Sequence, residues 1–232
     1  MIDAAQLFET HKINASSKQI RLLQAYVSML LDENTRQNLT AVKTEEEVWK
    51  RHILDAAMLL PYFEENLNAT VIDLGTGGGV PGIPLAILRP LLQITLLDSE
   101  QSKIRFCERA AKSLGLQIDA ICGRAEELAH LEAYRCRFDF AVSRAMASGS
   151  MLCELAVPML KVGGALISMK GRNYDPAAER FAEAAVVLGA EVTATDCYTL
   201  FDEKKHMIVC RKNAVTPAQY PRRFAKIKRS PL

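Results

Sequence analysis

The chain has 232 residues and a mass of 25.7 kDa, which suits one compact domain or a core with a small appendage. Hydrophobic residues make up 49% and charged residues 24%. That balance excludes a disordered chain, and no stretch approaches ~18 apolar residues without a charge, which excludes a membrane-spanning helix. The net charge of +2 is unevenly placed: residues 211–232 hold seven of the 29 basic residues and no acid, leaving 22 basic against 27 acidic residues elsewhere. A basic tail on an acidic body points to a polyanion partner or an acidic docking surface; the competing reading is a solvated terminus.

The first residues, MIDAAQ, lack a basic stretch followed by an apolar run, so no secretory signal is expected. The six cysteines, at 107, 122, 136, 153, 197 and 210, show no two-residue spacing of the kind that makes a zinc ribbon or a thiol redox motif. They read as reduced, mostly buried thiols of a cytoplasmic protein.

In chain order, residues 1–66 read as a helical cap. Ser16 and Ser17 precede Ile20, Leu23, Val27, Leu30 and Leu31 at helical spacing. Thr44 and Glu47 have the spacing of a capping box, opening a helix expected to run to Pro61; Asn34–Thr40 reads as the connector between the two. On the helix after Thr44, Arg51 and Asp55 are spaced to form an i,i+4 ion pair beside His52.

Residues 67–213 alternate strand and helix, which predicts an α/β, doubly wound, mostly parallel sheet with right-handed crossovers. Strands are expected over 70–74, 93–98, 117–122, 138–143 and 165–170. Helices are expected over 100–114, near 124–131, over 150–160 and over 176–188, with Gly163-Gly164 as a turn. The last two strands, about 191–200 and 206–211, are joined by Asp202–Lys205, too short a link for a crossover, so this pair is expected to be antiparallel. Residues 214–232 form the basic tail.

The sharpest signal is Val71–Gly82, VIDLGTGGGVPG. An acid, Asp73, ends the first strand, and Gly75, Gly77 and Gly79 follow at two-residue steps. Asp98 ends the next strand, placed to accept the hydroxyls of a ribose. In doubly wound sheets such a turn lies where ligands bind, and glycine lets the backbone approach them closely. Two ligands fit. Residues 77–82 match the GxGxxG pattern of a dinucleotide site, but Pro81 and Pro84 crowd the turn whose N–H groups would hold a pyrophosphate. S-adenosylmethionine carries no phosphate and needs a carboxylate near its cationic methionine end. Too little chain follows residue 170 for the substrate domain of a dehydrogenase, and the methyl donor is the favoured ligand.

With Asn38-Leu39-Thr40, Arg51–Asp55 (RHILD), Asp73–Leu85 (DLGTGGGVPGIPL), Leu97-Asp98-Ser99, Ser143-Arg144-Ala145, Lys170-Gly171 and Tyr220–Arg223 (YPRR), the chain resembles the bacterial 16S rRNA guanine-N7 methyltransferases, also called glucose-inhibited division protein B, over nearly its whole length. It departs from that pattern at Ala56, where Ser is usual, and at Gln37, where an aromatic often precedes NLT. The resemblance implies a class I S-adenosylmethionine-dependent methyltransferase fold, with a 16S rRNA or small-ribosomal-subunit substrate. It places the cofactor against Gly75, Gly77 and Val80, with Asp98 on the ribose, Ala125 and Glu126 bordering the adenine, and Arg144 at the methyl-transfer centre; Asp73 is the carboxylate expected near the cationic methionine end. His52, at the RNA or the cofactor entrance, and Lys170 are further candidates for catalysis.

Guanine N7 carries a lone pair and no hydrogen, so its methylation needs no general base and no metal. Catalysis then rests on alignment, which supplies on the order of 7–11 kcal/mol. For RNA, Lys170, Arg172, Arg222, Arg223, Lys226, Lys228 and Arg229 are the expected phosphate contacts, with Tyr220 and Phe224 placed to stack on bases; the alternative is that the tail packs back to complete the fold. No membrane and no obligate protein partner are expected, and the protein is read as a monomer. A non-catalytic RNA-binding factor and a small-molecule methyltransferase are the competing functions.

Overall fold

The computed structural model describes residues 3–232; Met1 and Ile2, where the expected helical cap begins, lie outside the described residues. Asp3 caps α1 (Ala4–Thr10) by accepting from the N–H groups of Ala5 and Gln6. Ser16 caps α2 (Ser17–Asn34) in a full capping box, the Gln19 side chain returning to the Ser16 N–H at 2.8 Å. At Thr44 the expected box is half formed. The hydroxyl accepts from the Glu47 N–H, but the Glu47 carboxylate takes the Thr44 hydroxyl at 3.1 Å rather than its backbone N–H. The helix opened there is α3 (Glu45–Val48). It widens into a π-helical turn, Trp49–Ile53, and closes as α4 (Leu54–Ala57). Pro61 therefore does not end this helix; it sits in a separate 3₁₀ turn, Leu60–Phe63.

The remainder is one sheet with helices on both faces. In chain order it runs β1 (Thr70–Leu74), α5 (Gly82–Leu88), β2 (Gln93–Asp98), α6 (Gln101–Leu114), β3 (Ile118–Cys122), α7 (Ala125–Leu128), β4 (Phe138–Arg144), α8 (Gly149–Ala156), β5 (Leu160–Lys170), α9 (Pro176–Glu179), α10 (Phe181–Leu188), β6 (Ala190–Leu200), β7 (Glu203–Lys212) and α11 (Phe224–Arg229). The strand order is 3-2-1-4-5-7-6, with β7 antiparallel to both neighbours. The order reverses between β1 and β4, and a crevice opens there beyond the strands' carboxyl ends.

Three expectations are corrected in detail. Gly163-Gly164 is not a turn between elements: β5 runs straight through both, and the pairing with β4 skips from Phe138↔Leu160 to Phe140↔Ala165 as a bulge. A Cβ on Gly164 would lie 2.8 Å from the Asp139 carbonyl, which is why the bulge needs glycine. The helix expected over 176–188 breaks at Arg180, whose backbone is left-handed (φ 54°). The β6–β7 hairpin turns at Phe201-Asp202, both at positive φ, so Glu203 to Lys205 belong to the strand.

Two apolar clusters flank the sheet. One joins the N-terminal helices to the core, packing Phe8, Leu23, Tyr26 and Trp49 with Val71, Ile83 and Leu96, so residues of the 1–66 segment share a core with the sheet. The other packs Leu152, Leu155, Phe181 and Leu188 against Ile72, Leu166 and Ile208. Of the cysteines, Cys107, Cys153 and Cys210 are buried, Cys136 is half-buried and Cys122 and Cys197 are exposed; all are free thiols.

The tail folds back. Ile227 of α11 is fully buried, and Arg135 donates to the carbonyls of Thr216 and Tyr220. Arg222 is fixed to Glu154 of α8: its Nε and backbone N–H donate to one carboxylate oxygen, and Nη2 donates to the other. Glu154 is fully buried. The reading of Arg222 as a phosphate contact is therefore corrected, since its charge is already matched inside the protein. Breaking a buried pair from one side leaves an uncompensated charge, at a cost of about 3–5 kcal/mol. Arg222→Ala is expected to lose that much in urea denaturation; a loss below about 1 kcal/mol would show that Glu154 has another partner.

Candidate active site

The glycine loop between β1 and α5 is tied down by two carboxylates. Asp73, fully buried, accepts through Oδ2 from the Thr76 hydroxyl (2.6 Å) and the Gly82 N–H (2.9 Å). Asp98 accepts through Oδ2 from the Gly77 N–H (3.0 Å) and through Oδ1 from the Glu100 N–H (2.9 Å). Gly75 and Gly77 have φ of 70° and 57°, and a Cβ on Gly77 would point into nearly open space, with only the Leu39 carbonyl 4.0 Å away. Gly79 serves packing instead, because a Cβ there would strike Ile83 at 2.4 Å.

The start of α5 excludes a pyrophosphate. Its first N–H groups are taken, Gly82 by Asp73 and Ile83 by the Gly79 carbonyl, and Pro84 has none. S-adenosylmethionine fits better. The second oxygen of Asp73, Oδ1, is buried with no partner among the described residues, and a cationic ammonium group satisfies such an orphan. Burial raises the Asp73 carboxyl to about 6, against the opposing hydrogen bonds from Thr76 and Gly82.

Two cavities that share Gly75 and Ala145 follow the loop. One cavity of about 330 Å³ is lined by Gly75, Asp98, Ala125, Glu126, Ala145 and Phe224. A second, about 170 Å³, is lined by Gly75, Gly77, Val80, Thr40, His52 and Arg144. Together they bring Gly75, Gly77, Val80, Asp98, Ala125, Glu126 and Arg144 onto one cleft, while Asp73 lies beneath it. A third cavity, about 370 Å³, shares Thr40, His52, Arg144 and Ala145 with the second and extends to Asp55, Lys170, Tyr198 and Lys205.

Arg144, the last residue of β4, is the wall between the second and third cavities. Its Nη1 donates to the Arg51 carbonyl (2.8 Å) and to His52 Nδ1 (2.9 Å). With Nδ1 accepting, the His52 proton sits on Nε2 and is donated to the Thr40 hydroxyl at 2.7 Å. Burial, with the Arg144 charge added, lowers the imidazole to about 4, so His52 is neutral near pH 7. Ala145 follows at φ 55°, a conformation L-residues rarely adopt, at the junction of all three cavities.

The expected Arg51–Asp55 pair is not formed. Both side chains are claimed by the distant β6–β7 hairpin. Arg51 instead pairs with Glu203 (2.9 Å), and buried Asp55 takes Lys205 (2.9 Å) and the Tyr198 hydroxyl (2.8 Å) on Oδ1. Burial and the adjacent carboxylate push the Tyr198 hydroxyl well above its ordinary value, so it remains a donor. Lys170 lines the third cavity, yet its Nζ donates to the Ala147 carbonyl and to Glu179, both at 2.8 Å. Arg172, Arg223, Lys226, Lys228 and Arg229 are exposed. Sequence reasoning missed Thr40, Tyr198 and Lys205 as site residues and took Asp55 only as a helix partner. Tyr198 and Lys205 come from β6 and β7, more than 140 residues away, and no local pattern marks them.

A sheet of this order with a reversed β7, a glycine loop after β1 and an acid ending β2 defines a class I S-adenosylmethionine-dependent methyltransferase. Solved structures agree at the level of the fold: M. jannaschii TYW2 in complex with AdoMet (TM-score 0.56, 14% identity, covering 69% of this chain and 76% of that one) and TrmN from Thermus thermophilus (TM-score 0.53, 20% identity, 70% and 53%). The family model for GidB, rRNA small subunit methyltransferase G, matches residues 19–208. Relatives described as ribosomal RNA small subunit methyltransferase G include those of Moorella thermoacetica, 39% identical over 95% of this chain and 93% of that protein, and Streptococcus pyogenes, 34% identical over 99% and 98%. The chain belongs to this family and is an S-adenosylmethionine-dependent rRNA methyltransferase.

The His52 geometry is directly measurable. In an NMR titration its imidazole is expected to stay neutral, with the proton on Nε2, from pH 8 down to pH 5. Protonation near the ordinary value of about 6.5 would contradict the buried Arg144–His52–Thr40 chain.

Proposed function

We infer that the methyl group is transferred to N7 of a guanine in 16S rRNA, with the acceptor base seated in the cavity between Thr40, Arg144 and Tyr198. The observation that carries this reading is the shared wall: the acceptor cavity and the cofactor cleft meet at Arg144 and Ala145. Bound S-adenosylmethionine supplies an electrophilic methyl on a sulfonium, and N7 has a free lone pair to take it, so no side chain need remove a proton. The chain's task is then to hold the base in line and keep it there. Arg144, fixed by the Arg51 carbonyl and His52, borders both cavities and positions the base. His52 is a positioning residue acting through Arg144 and Thr40, and Lys170 shapes the far side of the cavity through Glu179. Residues 1–66, 67–213 and 214–232 work as one unit, acting on ribosomal RNA in the cytoplasm.

On the cofactor side, Gly75, Gly77 and Val80 receive the methionine half, Asp98 the ribose, and Ala125 with Glu126 the adenine. Asp73 faces the cationic end as an ionised carboxylate. Its carboxyl titrates near 6 in the free protein, so lowering the pH through 6 neutralises the group the cation needs. Affinity for S-adenosylmethionine by calorimetry is expected to fall roughly tenfold from pH 7 to pH 5; a flat profile would remove Asp73 from that role.

RNA is held by the exposed cations of the tail. Arg223, Lys226, Lys228 and Arg229 replaced together by alanine should weaken RNA binding and flatten its salt dependence by about 0.7–0.9 per lost phosphate contact, leaving cofactor affinity intact. An unchanged salt slope would place the RNA elsewhere. The function itself is tested by incubating small-subunit RNA with labelled cofactor and mapping the label. The reading expects 7-methylguanine at a single position, and label on another atom or none would overturn it.

A further inference from the structure

The acceptor cavity holds a donor and an acceptor that nothing in the protein fully engages. Nη1 of Arg144 is occupied, but Nε and Nη2 have no acceptor among the described residues. Asp55 is buried, and its Oδ1 carries both Lys205 and Tyr198, while Oδ2 has only the Arg144 Nη1 at a loose 3.8 Å. Lys205 and Tyr198 hold the carboxylate in place from one side and leave the other oxygen toward the cavity that both Asp55 and Arg144 line.

Resting on the reading that a guanine occupies this cavity, we propose that Asp55 and Arg144 form the reader that selects guanine, with Arg144 donating to O6 and Asp55 Oδ2 accepting from N1–H. Along one edge of guanine the order is N7, O6, N1. Across the cavities the order is cofactor cleft, Arg144, Asp55, because Arg144 borders both cavities and Asp55 only the outer one. N7 at the cleft therefore brings O6 to the guanidinium and N1–H to the carboxylate. Adenine presents the reverse, an amino donor at position 6 and an acceptor at N1, which would set donor against guanidinium and lone pair against carboxylate.

The pair also contributes to the rate. As the N7 lone pair bonds to carbon and the carbon–sulfur electron pair stays on sulfur, positive charge moves onto the purine. N1–H becomes a stronger donor while keeping its proton, so the bond to Asp55 is tighter in the transition state than in the ground state. Arg144 is too constrained to follow the charge; Asp55 offsets it.

The test uses the full-length protein and small-subunit RNAs carrying guanine, inosine or 2-aminopurine at the methylated position. Inosine keeps O6 and N1–H and loses only the 2-amino group; 2-aminopurine keeps the amino group and loses both features read here. The wild type should methylate inosine RNA within about threefold of guanine and lose on the order of tenfold or more in kcat/KM on 2-aminopurine. Asp55→Asn, with cofactor affinity checked by calorimetry, should shrink the guanine-to-2-aminopurine ratio mainly through kcat. The proposal is overturned if the wild type accepts 2-aminopurine as well as guanine, if inosine fails as badly as 2-aminopurine, or if Asp55→Asn leaves the ratio unchanged. The analogue series stands whether or not the variant folds. Absence of any transfer to guanine RNA by cofactor-loaded protein would instead strike the parent reading.

Discussion

The hydrogen-bond pair made by Arg144 Nη1, one bond to the Arg51 carbonyl and one to His52 Nδ1, is the constraint on which the site depends. It joins the end of β4 to the widened turn of the N-terminal helix, and through His52 Nε2 it reaches Thr40 in the loop after α2. Three distant stretches of chain are thereby locked around one guanidinium. Both acceptors, the Arg51 carbonyl and the His52 ring, belong to the π-helical turn Trp49–Ile53, and such turns recur where a helix is shaped for function. A neutral imidazole completes the arrangement: a protonated His52 would place a cation against Arg144.

The cofactor side is built on a second logic, fixed carboxylates under a glycine loop. Asp73 and Asp98 hold the loop by its N–H groups, so the glycines present their conformation rather than side chains to the cleft. The same bonds consume the donors a dinucleotide phosphate would need, which settles the choice that GxGxxG leaves open. The cleft along the glycine loop and the cavity beyond Arg144 then meet where β1 and β4 end, the place that reversal of strand order reserves for ligands.

Much of this was legible in the sequence for identifiable reasons. The β1 and β2 strands, the glycine loop and Asp98 are local in sequence and follow from strand periodicity and turn chemistry. The antiparallel last pair followed from the shortness of its link. The break at Arg180 and the bulge at Gly163-Gly164 did not, because both arise from tertiary packing that overrides local pattern. Arg51 and Asp55 have the spacing of an i,i+4 pair, but tertiary partners on the β6–β7 hairpin, Glu203 and Lys205, outcompete it. Tyr198 reaches Asp55 from the same hairpin, 143 residues further along the chain, a contact that no local pattern marks. The tail divides likewise: Lys212, Arg222 and Ile227 complete the fold, while Arg223, Lys226, Lys228 and Arg229 are exposed.

The most direct measurement of the central claim, that Arg144 separates a methyl-donor cleft from a purine cavity, is a crystal structure with S-adenosylhomocysteine and a guanine-containing oligonucleotide. The account predicts the thioether sulfur on the Gly75–Gly77 side of Arg144 and the base between Thr40 and Tyr198, with N7 turned toward the sulfur. A base bound instead beneath Phe224 and Arg223, away from His52, would contradict it.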